Sequence, residues 1–269
     1  MRRRRSSILW GLIIVSIIAT SALLAPWIAP EPNRVDLGSV LSPPSAAHWL
    51  GTDGLGRDVA ARLVHGARIS LLIGLATGVF SVLIGLPIGA IAGYAGGSSD
   101  NVIMRFMDVL LAFPALILAI AIVTVLGPSL INAQLAIGIV AIPVYARVMR
   151  ASVLTIREQD YVTASRALGE SSAGVLFRRI VPNSLTPMIV QGTLGIGGAI
   201  LEVAALSFLG LGAQLPTAEW GSMIGLERGS IFTAPHLILF PGIAIALTVL
   251  GFNLLGDGLR DALDPRLNR

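Results

Sequence analysis

Apolar residues concentrate in six stretches of the chain, at 8–28, 69–91, 106–126, 131–148, 188–211 and 235–256. Each is close to the roughly 20 residues that a helix needs to cross about 30 Å of hydrocarbon. They predict a single polytopic, all-α membrane protein with six transmembrane helices, and the chain between them is too scattered to build a second soluble core. The first stretch follows MRRRRSS, a basic start that a secretory signal shares. Its apolar run is longer than the roughly 7–15 residues of a signal's hydrophobic region. Trp10 and Trp27 bracket it as interfacial anchors do, which favours a retained anchor over a cleaved signal.

Three polar segments separate the spans. Residues 29–68 form a Pro-rich outer loop ending in GTDGLGRDVAARLVHGARIS, where Val59, Leu63 and Val64 share a helical face. That face predicts a short helix lying at the outer interface. Residues 150–187 form the longest inner loop, and 212–234 a second outer one. Arginine placement sets the expected orientation. Six crossings from an inner N-terminus put fourteen arginines inside: Arg2 to Arg5, Arg105, Arg147, Arg150, Arg157, Arg166, Arg178, Arg179, Arg260, Arg266 and Arg269. Only Arg34, Arg57, Arg62, Arg68 and Arg228 stay outside. Both termini are expected in the cytoplasm.

Composition narrows the chemistry. Charged residues make up 13% of the 269, against about 25% in a soluble domain. The chain has no cysteine, which excludes disulfides, iron–sulfur clusters and thiol catalysis. His48, His65 and His236 stand apart, without a second ligand type at metal spacing, so neither a metal nor another cofactor is expected. All 19 basic residues are arginine, which removes Schiff-base chemistry and the phosphate-gripping lysine of a P-loop. If ATP drives this chain, another chain binds and hydrolyses it. The sequence pI near 10.6 would suit nucleic acid, but the hydropathy assigns the arginines to membrane flanks, and no nucleic-acid partner is expected.

Within the spans, glycines recur at Gly74, Gly78, Gly85, Gly89 and Gly93, and again at Gly192, Gly195 and Gly198. Such faces let helix backbones approach closely, either within the chain or against a second membrane subunit. Pro87, Pro114, Pro143 and Pro241 can kink their helices. Two acids fall in or near apolar stretches. Glu202 suits either a subunit contact or a translocation path, because a carboxylate at membrane depth faces protein or water. Asp108 lies nearer the inner boundary, within reach of Arg105 at i−3.

The inner loop carries the strongest functional signal. Tyr161, Ala164, Ser165 and Leu168 align at helical spacing into a shallow stripe, with Arg157, Glu158, Arg166 and Glu170 around its flanks. Gly169 ends the turn, residues 175–180 resume an apolar helix, and Pro182 and Pro187 mark re-entry to the membrane. By physics alone this is equally a helix that docks in a partner's groove or an amphipathic surface helix.

The segment EQDYVTASRALG, followed by RRIVPN, resembles the cytoplasmic loop motif of ABC-importer inner-membrane permeases. The chain more specifically resembles the dipeptide/oligopeptide/nickel permease family, in its C-type subunit. The residues behind this are GTDGLGRD (51–58), GARISLLIG (66–74), FMDVLLAFPAL (106–116), LGPSL (126–130), LSFLGLG (206–212) and FNLLGDGLRDALDPR (252–266). The resemblance implies an ABC importer type I transmembrane domain. It divides the chain into an N-terminal helix with its outer loop (1–66), a permease domain (67–258) and a cytoplasmic tail (259–269). It implies a multi-pass permease of the bacterial inner membrane that forms half of a peptide path and catalyses no bond chemistry. Its implied partners are a homologous second permease, two ABC ATPases that bind the ATP, and an extracytoplasmic substrate-binding protein.

The ATPase-docking helix would lie in 157–182 and use Tyr161, Thr163, Ala164, Ser165, Arg166, Leu168, Gly169 and Pro182. Thr163 and Ser165 stand where the family usually has the first and last residues of Glu-Ala-Ala. Two other classes compete with the import reading. A self-sufficient secondary transporter or channel would place several ionisable groups at mid-membrane, where Glu202 is the main candidate. A membrane scaffold would bind ATPases without moving substrate.

Overall fold

The computed structural model describes residues 2–263, with side chains from Ser7 onward. Arg266 and Arg269, the end of the expected cytoplasmic tail, and the side chains of Arg2 to Arg5 lie outside the described residues. Ten α-helices make up the described chain: α1 (Arg2–Ile28), α2 (Val59–Ala95), α3 (Gly97–Leu111), α4 (Ala115–Leu126), α5 (Leu130–Ile156), α6 (Asp160–Ala167), α7 (Ser172–Gly174), α8 (Leu185–Phe208), α9 (Trp220–Leu226) and α10 (His236–Leu263). The only β pairing among the described residues is the isolated bridge Thr52–Asp58.

Helix α2 is the axis of the bundle. A Cβ on Gly85 would come within 2.6 Å of Tyr145 Cβ, and one on Gly93 within 2.9 Å of the Arg150 carbonyl, so both glycines set α2 directly on α5. Gly74 meets Ile200 and Gly78 meets Ile196 on α8. The small-residue face of α2 is therefore consumed by packing within the chain. Helix α1 joins the bundle by the same device: Gly11 approaches Leu255 of α10, and Gly251 of α10 approaches Ile14 and Val15.

The third apolar stretch departs from the expected single span. It holds α3 and α4, bent by 88° across the break. Pro114 lacks the N–H that would continue the ladder and pushes Phe113 away from helical dihedrals. Five helices thus reach spanning length, with the bent pair as a sixth candidate.

The expected interfacial helix near residue 59 is also absent as a separate element. Those residues are the first turns of α2, which Asp58 caps by accepting a hydrogen bond from the Ala61 amide at 2.8 Å. At 37 residues, α2 is about 55 Å long, more than a bilayer's hydrocarbon requires.

The first outer loop folds against α2. Asp53 accepts hydrogen bonds from the Leu55 and Arg57 amides, both at 2.9 Å, and pairs with the Arg57 guanidinium at 2.7 Å. Arg62, 1% exposed, lies 3.6 Å from the same carboxylate and donates to Asn33 Oδ1 at 3.0 Å. Glu227, at the end of α9, accepts from the Gly54 amide at 3.0 Å and ties this loop to the second one.

Candidate functional site

The inner loop is a folded unit. Asp160 opens α6 and Arg166 closes it, both placed to complement the helix dipole. Gly169 then takes φ +83°, a left-handed conformation that glycine adopts without strain. Its amide donates to the Arg166 carbonyl at 3.0 Å, and the Glu170 amide donates to the Ser165 carbonyl at 3.1 Å. This pair of bonds is a Schellman stop.

One face of α6 is held and the other is free. Val162 is fully buried with Met149 and Val153 of α5 and with Val175, Leu176 and Ile180 of the returning chain. Arg166 lies over the Tyr94 ring at 5.5 Å, fastening α6 to the end of α2. Glu170 pairs with Arg179 at 3.0 Å, and the Ser152 hydroxyl of α5 donates to the Ser184 carbonyl at 3.2 Å. Tyr161, Thr163, Ala164, Gly169 and Pro182 remain exposed, Ser165 is half-buried, and Leu168 is 89% exposed. The structure places Tyr161, Thr163, Ala164, Ser165 and Arg166 on α6, with Leu168 as its C-cap and Gly169 just beyond, while Pro182 opens the separate 3-10 turn Pro182–Ser184. Residues 175–180 are helical as expected, but they wind as a π-helix.

Two arginines, Arg150 read from the sequence only as a topology marker and Arg157 only as that and as a flanking charge of the loop, clamp this end of the bundle. Arg150 of α5 grips Asp100 of α3 through two bonds, Nε–Oδ1 at 2.6 Å and Nη2–Oδ2 at 2.5 Å. Arg157 donates to the Gly93 carbonyl of α2 at 2.8 Å. Neither pairing is local enough for helical periodicity to reveal. Asp108 corrects its expected partner: it pairs with Arg147 of α5 at 2.5 Å, not with Arg105, because α3 lays this face against α5.

Glu202 occupies a different place. It lines a cavity of about 130 Å³ between α2, α5 and α8, together with Thr77, Ser81, Tyr145 and Gln191. Asp108 is not among the lining residues, so the two acids do not share a site.

The family model for binding-protein-dependent transport system inner membrane components matches residues 85–269. The chain belongs to this family. Like its other members it is an ABC-importer permease, not an enzyme, and it works with ATPase and substrate-binding partners. The dipeptide transport system permease protein of Alkalihalophilus pseudofirmus is 49% identical, over 96% of this chain and 85% of that protein. The di/tripeptide transport system permease protein of Pseudomonas aeruginosa is also 49% identical, over 96% and 88%. The glutathione transport system permease protein of Pectobacterium atrosepticum is 45% identical, over 98% and 88%. Among solved structures, the MetNI methionine ABC transporter shares the fold, with TM-score 0.63 at 20% identity over 75% of this chain and 96% of that one. The shared fold is the type I transmembrane architecture, and the family sets the permease as a multi-pass protein in the inner membrane.

Proposed function

We propose that this permease forms half of the transmembrane path of an importer for di- or oligopeptides, and that α6 is the helix through which ATPases move it. A homologous permease completes the path, and two ATPases bind the ATP and dock beneath. A substrate-binding protein delivers from outside, where exposed Trp49 and Phe232 offer apolar contacts on the outer loops. Both termini then lie in the cytoplasm, in keeping with the arginine asymmetry. The cited relatives are named for dipeptides, for di/tripeptides and for glutathione, which is chemically a tripeptide.

The observation that carries the reading is the exposed face of α6 on a rigid mount. Leu168 and the small side chains around Ala164 present a shallow apolar surface that a partner groove can cover. Val162, Arg166 and the clamps at Arg150 and Arg157 join that surface to α2, α3 and α5. When ATP draws the ATPases together, a push on α6 moves these helices as one body and alternates access to the path. Thr163 and Ser165 leave the docking face with hydroxyls in place of the family's usual pattern, so its contacts rest on shape and on Leu168.

Ala164→Trp places a large ring on the docking face without touching the core. It should lower ATPase co-purification at least about tenfold, the equivalent of 1.4 kcal/mol, with membrane yield unchanged. Leu168→Pro, which removes the amide bonded to the Ala164 carbonyl, should do the same. Undiminished ATPase binding and peptide uptake by both variants would show that α6 is not the docking element.

A further inference from the structure

We infer that Glu202 is a cation-recognition residue of the import path, its carboxylate taking the ammonium group of a passing peptide. This rests on the peptide-import reading above. Glu202 lies six residues inside the Phe208 end of α8, about 9 Å along the helix axis. A carboxylate at that depth is expensive unless something answers its charge. Within the chain no cation does: among the described residues Glu202 has neither an ion pair nor a hydrogen bond, its neighbour Tyr145 carries no positive charge, and no arginine lines its cavity. By contrast Asp53, Asp100, Asp108 and Glu170 are each matched to an arginine. Glu202 is therefore not there to hold this chain together.

The walls favour a cation. Thr77 donates its hydroxyl proton to the Ile73 carbonyl at 2.7 Å, and Ser81 bonds the Thr77 and Gly138 carbonyls, both at 2.9 Å. With their protons committed to backbone, these hydroxyls offer the cavity acceptor lone pairs, while Tyr145 and Gln191 add a hydroxyl and a carboxamide that can either accept or donate. A volume of about 130 Å³ holds roughly four waters at about 30 Å³ each, or an ammonium that has exchanged waters for these oxygens. On the α8 wall Gly198 has no atom within 4 Å of where its Cβ would stand, so the mouth stays open beside the carboxylate. The ammonium is the one cation every unmodified peptide carries, whatever its side chains. A single carboxylate thus eases its desolvation without selecting sequence, which leaves selectivity to the binding protein.

The test uses the complete importer in proteoliposomes, with cysteine-free partner subunits and Ala-Ala as substrate, since its N-terminus is its only cation. ATP-driven uptake by the wild type reads the import assignment, and the variants read the site. This chain has no cysteine of its own, so Glu202→Cys gives one addressable thiol. Glu202→Gln and Glu202→Cys should cut uptake at least tenfold while complex yield and binding-protein-stimulated ATPase activity hold. Treating the Glu202→Cys importer with a sulfonatoethyl methanethiosulfonate, which restores a negative charge at that position, should recover uptake, and the trimethylammonium reagent should not. Wild-type rates in Glu202→Gln, or equal rescue by both reagents, would overturn the site while leaving peptide import standing. Parallel loss of complex yield and uptake would overturn it too, assigning Glu202 to a cation of the second permease instead. Absence of ATP-driven Ala-Ala uptake by the wild type would overturn both.

Discussion

Asp53 serves two guanidinium groups and two backbone amides at once, in a place where water cannot replace it. Removing one partner of a buried ionic cluster costs about 3–5 kcal/mol, because the other charges stay behind unpaired. Asp53→Asn should therefore lower the apparent Tm by about 6–20 °C, using the usual sensitivity of about 2–4 °C per kcal/mol for a chain of this size. A change under about 2 °C, less than 1 kcal/mol is worth at this size, would show that Arg57 and Arg62 find other partners. Glu219 gives a pH-dependent case at the same scale. It caps α9 by accepting from the Gly221 and Ser222 amides at 2.9 and 2.8 Å. Burial nonetheless holds its carboxyl above the ordinary 4.5. A raised folded-state value means that folding favours the protonated form. Its contribution is complete below the ordinary value and is lost as pH climbs through the raised one. Thermal scans from about pH 4 to 8 should show a decline in the wild type that Glu219→Gln lacks; superimposable profiles would contradict this. The sequence identified the charged residues but not their partners. Arg62 reads there as an outer-loop charge, and Asp108 as a neighbour of Arg105, because pairings between residues distant in the chain leave no periodic trace.

At the scale of elements, glycine spacing was the more legible feature. The four-residue repeat in the second stretch correctly marks a face of close approach, and Gly89 shows how close: its Cβ would strike the Ala146 carbonyl and come within 2.8 Å of Met149 Cβ. Gly89→Ala should cost about 1–3 kcal/mol by forcing α2 and α5 apart. Gly242→Ala, in open space on α10, should be neutral or stabilising through helix propensity. Equal stability of the two variants would show that the α2–α5 seam tolerates separation. Proline was less legible. Pro87 and Pro143 sit inside continuous helices while Pro114 stands at a break, as the N-cap of α4. Gly85 and Gly89 seat α2 on α5 on either side of Pro87, and α2 continues through it, whereas the chain around Phe113 is exposed and free to turn. Composition alone does not separate those cases. Nor does hydrophobic periodicity distinguish the π-helix at Val175–Ile180 from an ordinary helical turn.

For the whole molecule, the multi-pass helical class and the family were readable because both rest on features spread along the chain: apolar stretches and motifs in order. The inner loop was readable as a helix and a glycine stop, since α6 is built from local signals. Its mount was not, because Val162, Tyr94 and Gly93 acquire their roles only when α2 and α5 converge on the loop. The cavity at Glu202 draws on three helices and likewise had only its carboxylate visible beforehand. The central claim is that this permease is one half of an ATP-driven path worked through α6. The most direct measurement is a gentle-detergent pull-down of the chain from its native membrane, with co-purifying proteins identified by mass. Recovery of a second permease together with P-loop ATPases is the predicted result. Recovery of this chain alone, monodisperse and able to transport peptide when reconstituted by itself, would contradict the account.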